Sequence, residues 1–162
     1  MPVFAFGPYA DAHRGVVLSM KEQRNLALRA KIGAVLAAGI EYLQVRGDIP
    51  PGVVLVPAPT RAAAARSRGG DPVEAFCRAS GYPVWPGLSL APRTTDQSTL
   101  TAQERRANLA GNVLVKTRTP VPSGPLIVVD DVVTTGATLQ VSVEKLLACG
   151  GDVVACLALC AA

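Results

Sequence analysis

Histidine and aromatic side chains are scarce in this chain of 162 residues: His13 stands alone, and three Phe, three Tyr and one Trp are the whole aromatic complement. So few aromatics leave no series of stacking platforms of the kind used on single-stranded nucleic acid. The four cysteines, Cys77, Cys149, Cys156 and Cys160, form no C-x-x-C pair. They read as apolar core thiols, which suits a reducing compartment. No run of about 18 apolar residues occurs, and no basic leader precedes an apolar stretch with a cleavage site, so a soluble, cytoplasmic protein without membrane insertion is expected. The Gly-x-x-x-x-Gly-Lys of a P-loop and the Gly-x-Gly-x-x-Gly of a dinucleotide fold are both missing. There are no internal repeats, and the Pro-rich segment 119–125 is too short to separate domains.

What remains is ample for one domain spanning 1–162, with 49% hydrophobic residues to fill a core. The formal charge of +4 is unevenly distributed. Residues 61–118 hold nine basic and four acidic residues, net +5, which leaves −1 for the rest. That middle segment faces an anion, and a diphosphate or a nucleic-acid backbone would each reward its clustered arginines.

The most informative stretch runs from Leu126 to Leu139, LIVVDDVVTTGATL. Leu126 to Val129 read as a short strand buried on both faces, as in a parallel sheet. An acidic pair and a small-residue turn follow, and then Leu139, Val143, Leu146 and Leu147 at helical spacing. A helix that starts behind a glycine-containing turn directs unpaired N–H groups and partial positive charge at the loop, so a phosphate is its natural occupant. Thr134, Thr135 and Thr138 add hydroxyls, and Gly136 lets the backbone approach closely. The two carboxylates would repel a phosphate unless they face ribose hydroxyls or Mg²⁺. An ordinary capped turn needs one Ser or Thr rather than this whole arrangement, and a receiver-domain reading would leave the Thr-rich loop unexplained.

Along the rest of the chain, residues 1–9 suit an irregular or edge-strand start. Two helices are predicted next: 11–23, holding His13, which reads as structural or solvent-facing, and one capped by Asn25 whose core face carries Leu28, Ile32, Val35, Leu36, Ile40 and Leu43. Val53 to Val56 read as a buried strand leading into Pro57-Ala58-Pro59 and a Gly- and Arg-rich turn, after which Asp71-Pro72 opens a helix to about Ala79. Such a turn lies at the carboxyl edge of a parallel sheet, where open α/β folds bind ligands. Residues 82–90 give a strand broken by Pro86 and Gly87; Trp85 reads as packing. Residues 91–101 are turn-rich, 102–109 helical, 112–116 a strand, and 152–159 a last buried strand. The alternation predicts α/β architecture with a mostly parallel sheet.

Residues 128–139 resemble the ribose-5-phosphate binding motif of type I phosphoribosyltransferases, in which apolar residues lead into two acidic residues and a Thr-Thr-Gly-x-Thr loop. Three further segments narrow the resemblance to the ComF-like branch, the late-competence relatives of amidophosphoribosyltransferases. Val56-Pro57-Ala58-Pro59 with Arg66-Ser67-Arg68-Gly69 is similar to the family's Val-Pro-x-Pro and Arg-rich turn. Arg93-Thr94-Thr95, Gln97, Leu100, Glu104-Arg105, Asn108 and Gly111 resemble a second pattern, and residues 9–21, with Arg14 and Lys21, resemble its N-terminal helix. Two departures stand out. No cysteine precedes Cys77 to build the family's N-terminal zinc module, and Arg68-Gly69-Gly70-Asp71-Pro72 replaces the usual Arg-Gly-Phe-Asn-Gln.

The resemblance implies a three-layer fold with N-terminal helices and a small hood or flexible-loop region. It implies a protein that binds 5-phosphoribosyl diphosphate with Mg²⁺ and passes the phosphoribosyl group to a nitrogen nucleophile. Asp130 and Asp131 would be the catalytic carboxylates, binding ribose hydroxyls, favouring positive charge on the sugar and meeting the metal through substrate or water. Thr134, Thr135, Gly136, Ala137 and Thr138 would hold the 5-phosphate, and Ala58, Pro59, Thr60 and Arg61 the diphosphate. Arg93, Gln97 and Arg105 would belong to a cover that excludes water. The alternative is a binding protein acting in single-stranded DNA uptake or recombination, with competence proteins as partners and no turnover. A homodimer is a further expectation.

Overall fold

The computed structural model describes residues 1–10, 15, 19, 26–60, 65, 70–91, 112–116 and 119–162. Its centre is a four-stranded sheet in the order β1 (Val3–Ala5), β6 (Asp152–Ala161), β5 (Pro125–Val133), β2 (Val54–Pro57), with every neighbouring pair parallel. Val84 adds one more parallel bridge, to Leu55 on the outer edge of β2. Strands β3 (Leu88–Leu90) and β4 (Val113–Val115) form a separate antiparallel ribbon.

Alternation along β5 explains the layers. Ile127 and Val129 point to one face, where Ile32, Leu36, Ile40 and Leu43 of helix α1 (Leu26–Val45) and Val73 and Phe76 of helix α2 (Pro72–Ala79) complete a core. Leu126 and Val128 point to the other, against Leu139, Val143 and Leu146 of helix α3 (Ala137–Ala148), the β3–β4 ribbon and Trp85. Both faces are thus covered, which is why these strands read as unbroken apolar runs. Each buried aliphatic side chain contributes about 1.5–3 kcal/mol, so a register slip that turned this set over would be strongly disfavoured. Where Leu126 pairs with Val153 and Ile127 with Ala155, Val154 is an extra residue in β6, and the shift keeps Val153 and Cys156 together in the α3-side core.

Local chemistry fixes the helices. Asp71 caps α2, its Oδ1 accepting from the Val73 and Glu74 amides at 2.9 and 3.4 Å, with Pro72 in the first turn. Gly33 lets α1 approach α2: a Cβ there would stand 2.6 Å from the carbonyl carbon of Ala79.

Several expectations change. Strand β5 does not stop at Val129 but continues through the acidic pair to Val133, because β6 keeps pairing with it as far as Val133 and Ala161. Val35 faces outward and is 54% exposed, since Ile32, Leu36, Ile40 and Leu43 already define the core side of α1. Cys149 is exposed, at the carboxyl cap of α3, while Cys77, Cys156 and Cys160 are buried as expected. The strand predicted at 82–90 is a bridge at Val84 followed by β3. Of the predicted helix at 11–23 only Gly15 and Ser19 are described, both helical, and the predicted helix at 102–109 falls outside the described residues.

Candidate functional site

Sheet order and connection direction together locate a crevice. After β2 the chain passes through α2, on one face, to Val84 on the outer side of β2. After β5 it passes through α3, on the other face, to β6. Two adjacent parallel strands whose connections leave in opposite directions make a topological switch point, and ligands of open α/β sheets bind outside the carboxyl ends of such strands. The candidate residues at 58–60 and 130–138 follow β2 and β5 at that edge.

The end of the β2–β5 ladder marks where the crevice opens. Pro57 is the last β2 residue in register, opposite Val129, and the Ala58 amide then donates to the Val129 carbonyl at 2.7 Å. From Asp130 onward β5 is paired by β6, whereas β2 has given way to the buried Ala58 and Pro59 and the half-buried Thr60. Asp130 and Asp131 are each half-buried. Consecutive strand residues face opposite sides of a sheet, so the two carboxylates diverge.

Titration behaviour agrees with that divergence. Burial pushes the Cys156 thiol, in the α3-side core, up to about 11; the N-terminal ammonium opposes this and the Asp130 charge adds to it. Burial likewise raises Cys160, in the core shared with α1 and α2, and there the added charge is that of Asp131. The Asp130 carboxylate also accepts the Asp131 amide at 2.8 Å.

Beyond the strand, Gly136 adopts the left-handed conformation with φ +71° and serves as N-cap of α3 without a side-chain hydrogen bond. A glycine enters that conformation without steric cost and leaves the first amides of the helix approachable. The Ala137 amide reaches Thr135 Oγ1 at 3.4 Å, and the helix proper begins with the Gln140 amide on the Gly136 carbonyl at 2.9 Å. Thr134 and Thr135 are exposed, Gly136 and Thr138 half-buried, and Ala137 buried. A depression of about 30 Å³ is lined by Asp130, Val132, Val133 and the whole stretch from Thr134 to Leu139, and Asp131 is not part of that lining. A larger groove of about 310 Å³ between α3 and β1 shares only Gly136 and Leu139 with it and is mainly apolar, so its chemistry does not suit a phosphate.

Asp130 and the 134–138 loop are therefore brought together, and Ala58, Pro59 and Thr60 follow the neighbouring strand. Arg61, Arg66, Arg68, Arg93, Gln97 and Arg105 lie outside the described residues. Val132, Val133 and Leu139 enter the lining without having been singled out; alternation from Val128 would not have found Val132, which packs against the core shared with α1 and α2 while Val133 packs on the α3 side. Among the described residues, no three His, Cys, Asp or Glu side chains assemble as a metal cluster, and no helix is long and apolar enough to cross a membrane.

No family model matches the chain, and no curated protein matches it. Among solved structures, the hypoxanthine phosphoribosyl transferase of Trypanosoma cruzi aligns with 90% of this chain and 63% of its own, at 14% identity and a TM-score of 0.40. Glutamic acid and asparagine mutants at an invariant aspartic acid of HPRTs align with 90% of this chain and 66% and 64% of theirs, each at 14% identity and a TM-score of 0.39. The chain thus spans less than two thirds of the length of these proteins.

Proposed function

We propose that this protein binds 5-phosphoribosyl diphosphate with Mg²⁺ and transfers the phosphoribosyl group to a nitrogen nucleophile, releasing diphosphate. The carrying observation is that Asp130 and the Thr134–Thr138 loop line one depression beside the β2–β5 switch point. The 5-phosphate sits on the backbone amides at the start of α3, with Thr134, Thr135 and Thr138 adding hydroxyl donors. Residues 58–61 receive the diphosphate. Asp130 accepts from the ribose hydroxyls, and its negative charge favours the positive charge that develops on the sugar as the anomeric C–O bond breaks.

The diverging carboxylates do not form a two-armed chelate, and this donor set fits Mg²⁺, which binds through one or two carboxylates, substrate phosphates and retained water. Bound there, Mg²⁺ would supply neutralising charge to the diphosphate. Asp130 is the side chain of this chain that would meet it, through substrate or water.

Donor at ~100 times its dissociation constant stabilises a fold by about 2.7 kcal/mol. For a chain of this size that is a rise of roughly 5–10 °C in Tm. Thermal melts with millimolar 5-phosphoribosyl diphosphate and Mg²⁺ are expected to show it, and an unchanged Tm overturns the pocket assignment. Diphosphate release with a panel of bases and amines then identifies the acceptor. The net +5 of residues 61–118 supports the alternative of single-stranded DNA binding without turnover. The two separate by salt, because affinity carried by arginines on phosphates falls steeply with ionic strength. DNA binding would depend on Arg66, Arg68, Arg105 and Arg106. Replacing Arg106 alone with Ala, which leaves Arg105 of the proposed cover in place, should weaken DNA binding and spare donor binding.

A further inference from the structure

On the α3 side, the sheet is not covered to its edge. Helix α3 packs on β5 and β6, and beyond it β1 presents Val3, in register with the buried Cys156 and 51% exposed. Phe4, the next residue, turns to the core on the opposite face. The uncovered strip and the flank of α3 enclose the groove of about 310 Å³, with Val3 and Cys156 in its floor and Leu139 and Val143 in its wall. Gln140 and Glu144 stand at its rim, both exposed. Its volume lies at the lower end of the ~300–1,000 Å³ usual for small-molecule pockets.

This groove runs into the phosphate loop. Gly136 and Leu139 line both it and the depression formed by Asp130 and residues 134–138. The space beside Gly136 is open, because the one atom a Cβ there would meet is Val133 Cγ2, at 3.9 Å. A substituent on a phosphate seated at the loop therefore has two ways out. Towards Asp130 it meets a carboxylate, which rewards hydroxyl groups; along α3, from residue 136 to 144, it meets apolar side chains for about 12 Å, which reward hydrocarbon. We propose that loop and groove form one site for a phosphate monoester of an apolar alcohol, with the phosphate on residues 134–138 and the hydrocarbon lying between Val143 and Val3. At about 30 Å³ for each water-sized group, roughly ten such groups fill the groove, so the tail is a chain of medium length. This rests on the phosphate reading of the loop given above and adds a second ligand class to it. The ester and 5-phosphoribosyl diphosphate exclude each other, since both place a phosphate on the same amides, and the ester is thus a competitive inhibitor of donor binding.

Isothermal titration of the full chain with inorganic phosphate and with ethyl, butyl, hexyl and octyl phosphate, each below its aggregation concentration, tests the site. Affinity should climb about two- to fourfold per methylene. Hexanol, which lacks the head group, should bind far more weakly than hexyl phosphate, and 5-phosphoribosyl diphosphate with Mg²⁺ should displace hexyl phosphate. Val3→Asp, in the exposed floor of the groove, should flatten the series and leave donor binding unchanged. The wild-type series carries the test even if that variant misfolds. A flat wild-type series, a folded Val3→Asp variant with the wild-type slope, hexanol bound as tightly as hexyl phosphate, or hexyl phosphate bound together with donor overturns the proposal, and the phosphate reading of the loop survives each of these wherever donor still binds. Binding of neither phosphate nor donor overturns both.

Discussion

Two adjacent carboxylates on opposite faces of one strand should not be interchangeable, and replacing them one at a time measures this. Asp130 lines the depression with residues 134–138 and Asp131 does not. Asp130→Asn keeps an oxygen that can accept the Asp131 amide, now bonded at 2.8 Å, so the local backbone is retained while the charge is lost. A hydrogen bond to a charged group contributes about 1.5–3 kcal/mol, which corresponds to a loss of roughly 10- to 150-fold in donor affinity. Asp131→Asn removes a charge whose traced influence falls on Cys160, in the core shared with α1 and α2. Its direct effect on donor affinity should stay within about threefold, under ~0.7 kcal/mol. Isothermal titration of 5-phosphoribosyl diphosphate with Mg²⁺ into each variant gives the two constants, and apo melts verify folding. Equal losses, or a larger loss at Asp131, would refute the assignment of the ligand to the Asp130 side.

Other outcomes follow from packing and burial. Gly33→Ala gains about 1 kcal/mol of helix propensity. Its Cβ, however, would stand 2.6 Å from backbone of Ala79, and overpacking of that kind costs about 1–3 kcal/mol. The clash should prevail and lower the Tm by a few degrees at about 2–4 °C per kcal/mol; a higher Tm would refute the close approach of α1 and α2. The Cys156 thiol, raised from 9.0 to about 11 chiefly by burial, holds its proton in the folded state where the unfolded chain has lost it. Its stabilisation is complete below pH 9 and is lost as pH rises from 9 to 11, up to about 3 kcal/mol. Urea titrations at three pH values across that window should show the decline, and a flat profile in which Cys156→Ala changes nothing would refute it. The exposed Cys149 should be alkylated by iodoacetamide in the native protein before Cys77, Cys156 and Cys160, as peptide mass mapping at short times will reveal.

Much of the architecture was legible because burial on both faces leaves a plain mark. Leu126 to Val129 and 152–159 read as fully buried strands for the reason that they are buried: helices cover both sides of the sheet. Asp71 and Pro72 announced α2 through capping chemistry that acts within four residues. Helical periodicity was less decisive in α1, because an apolar residue on the outer side, Val35, satisfies the same spacing rule as those on the inner side. The end of β5 was illegible for a different reason. Whether Asp130 to Val133 continue a strand depends on β6, and their own residue types do not decide it.

That dependence on β6 has a chemical consequence. In a turn, two neighbouring carboxylates could converge on one ligand; in a strand held by β6 through Val132 and Val133, they are directed to opposite sides of the sheet. The side on which β2 has ended is the open side of the crevice, and the alternation that buries Leu126 and Val128 in the core beside α3 carries Asp130 into the depression beside the loop. The phase established in the core therefore selects which carboxylate meets the ligand. The bulge at Val154 maintains that phase: it keeps Val153 and Cys156 on the α3 side together with Leu126 and Val128. An alternation that places a hydrophobic residue correctly at 128 thus places a charged one correctly two residues later, and the site inherits its geometry from the core.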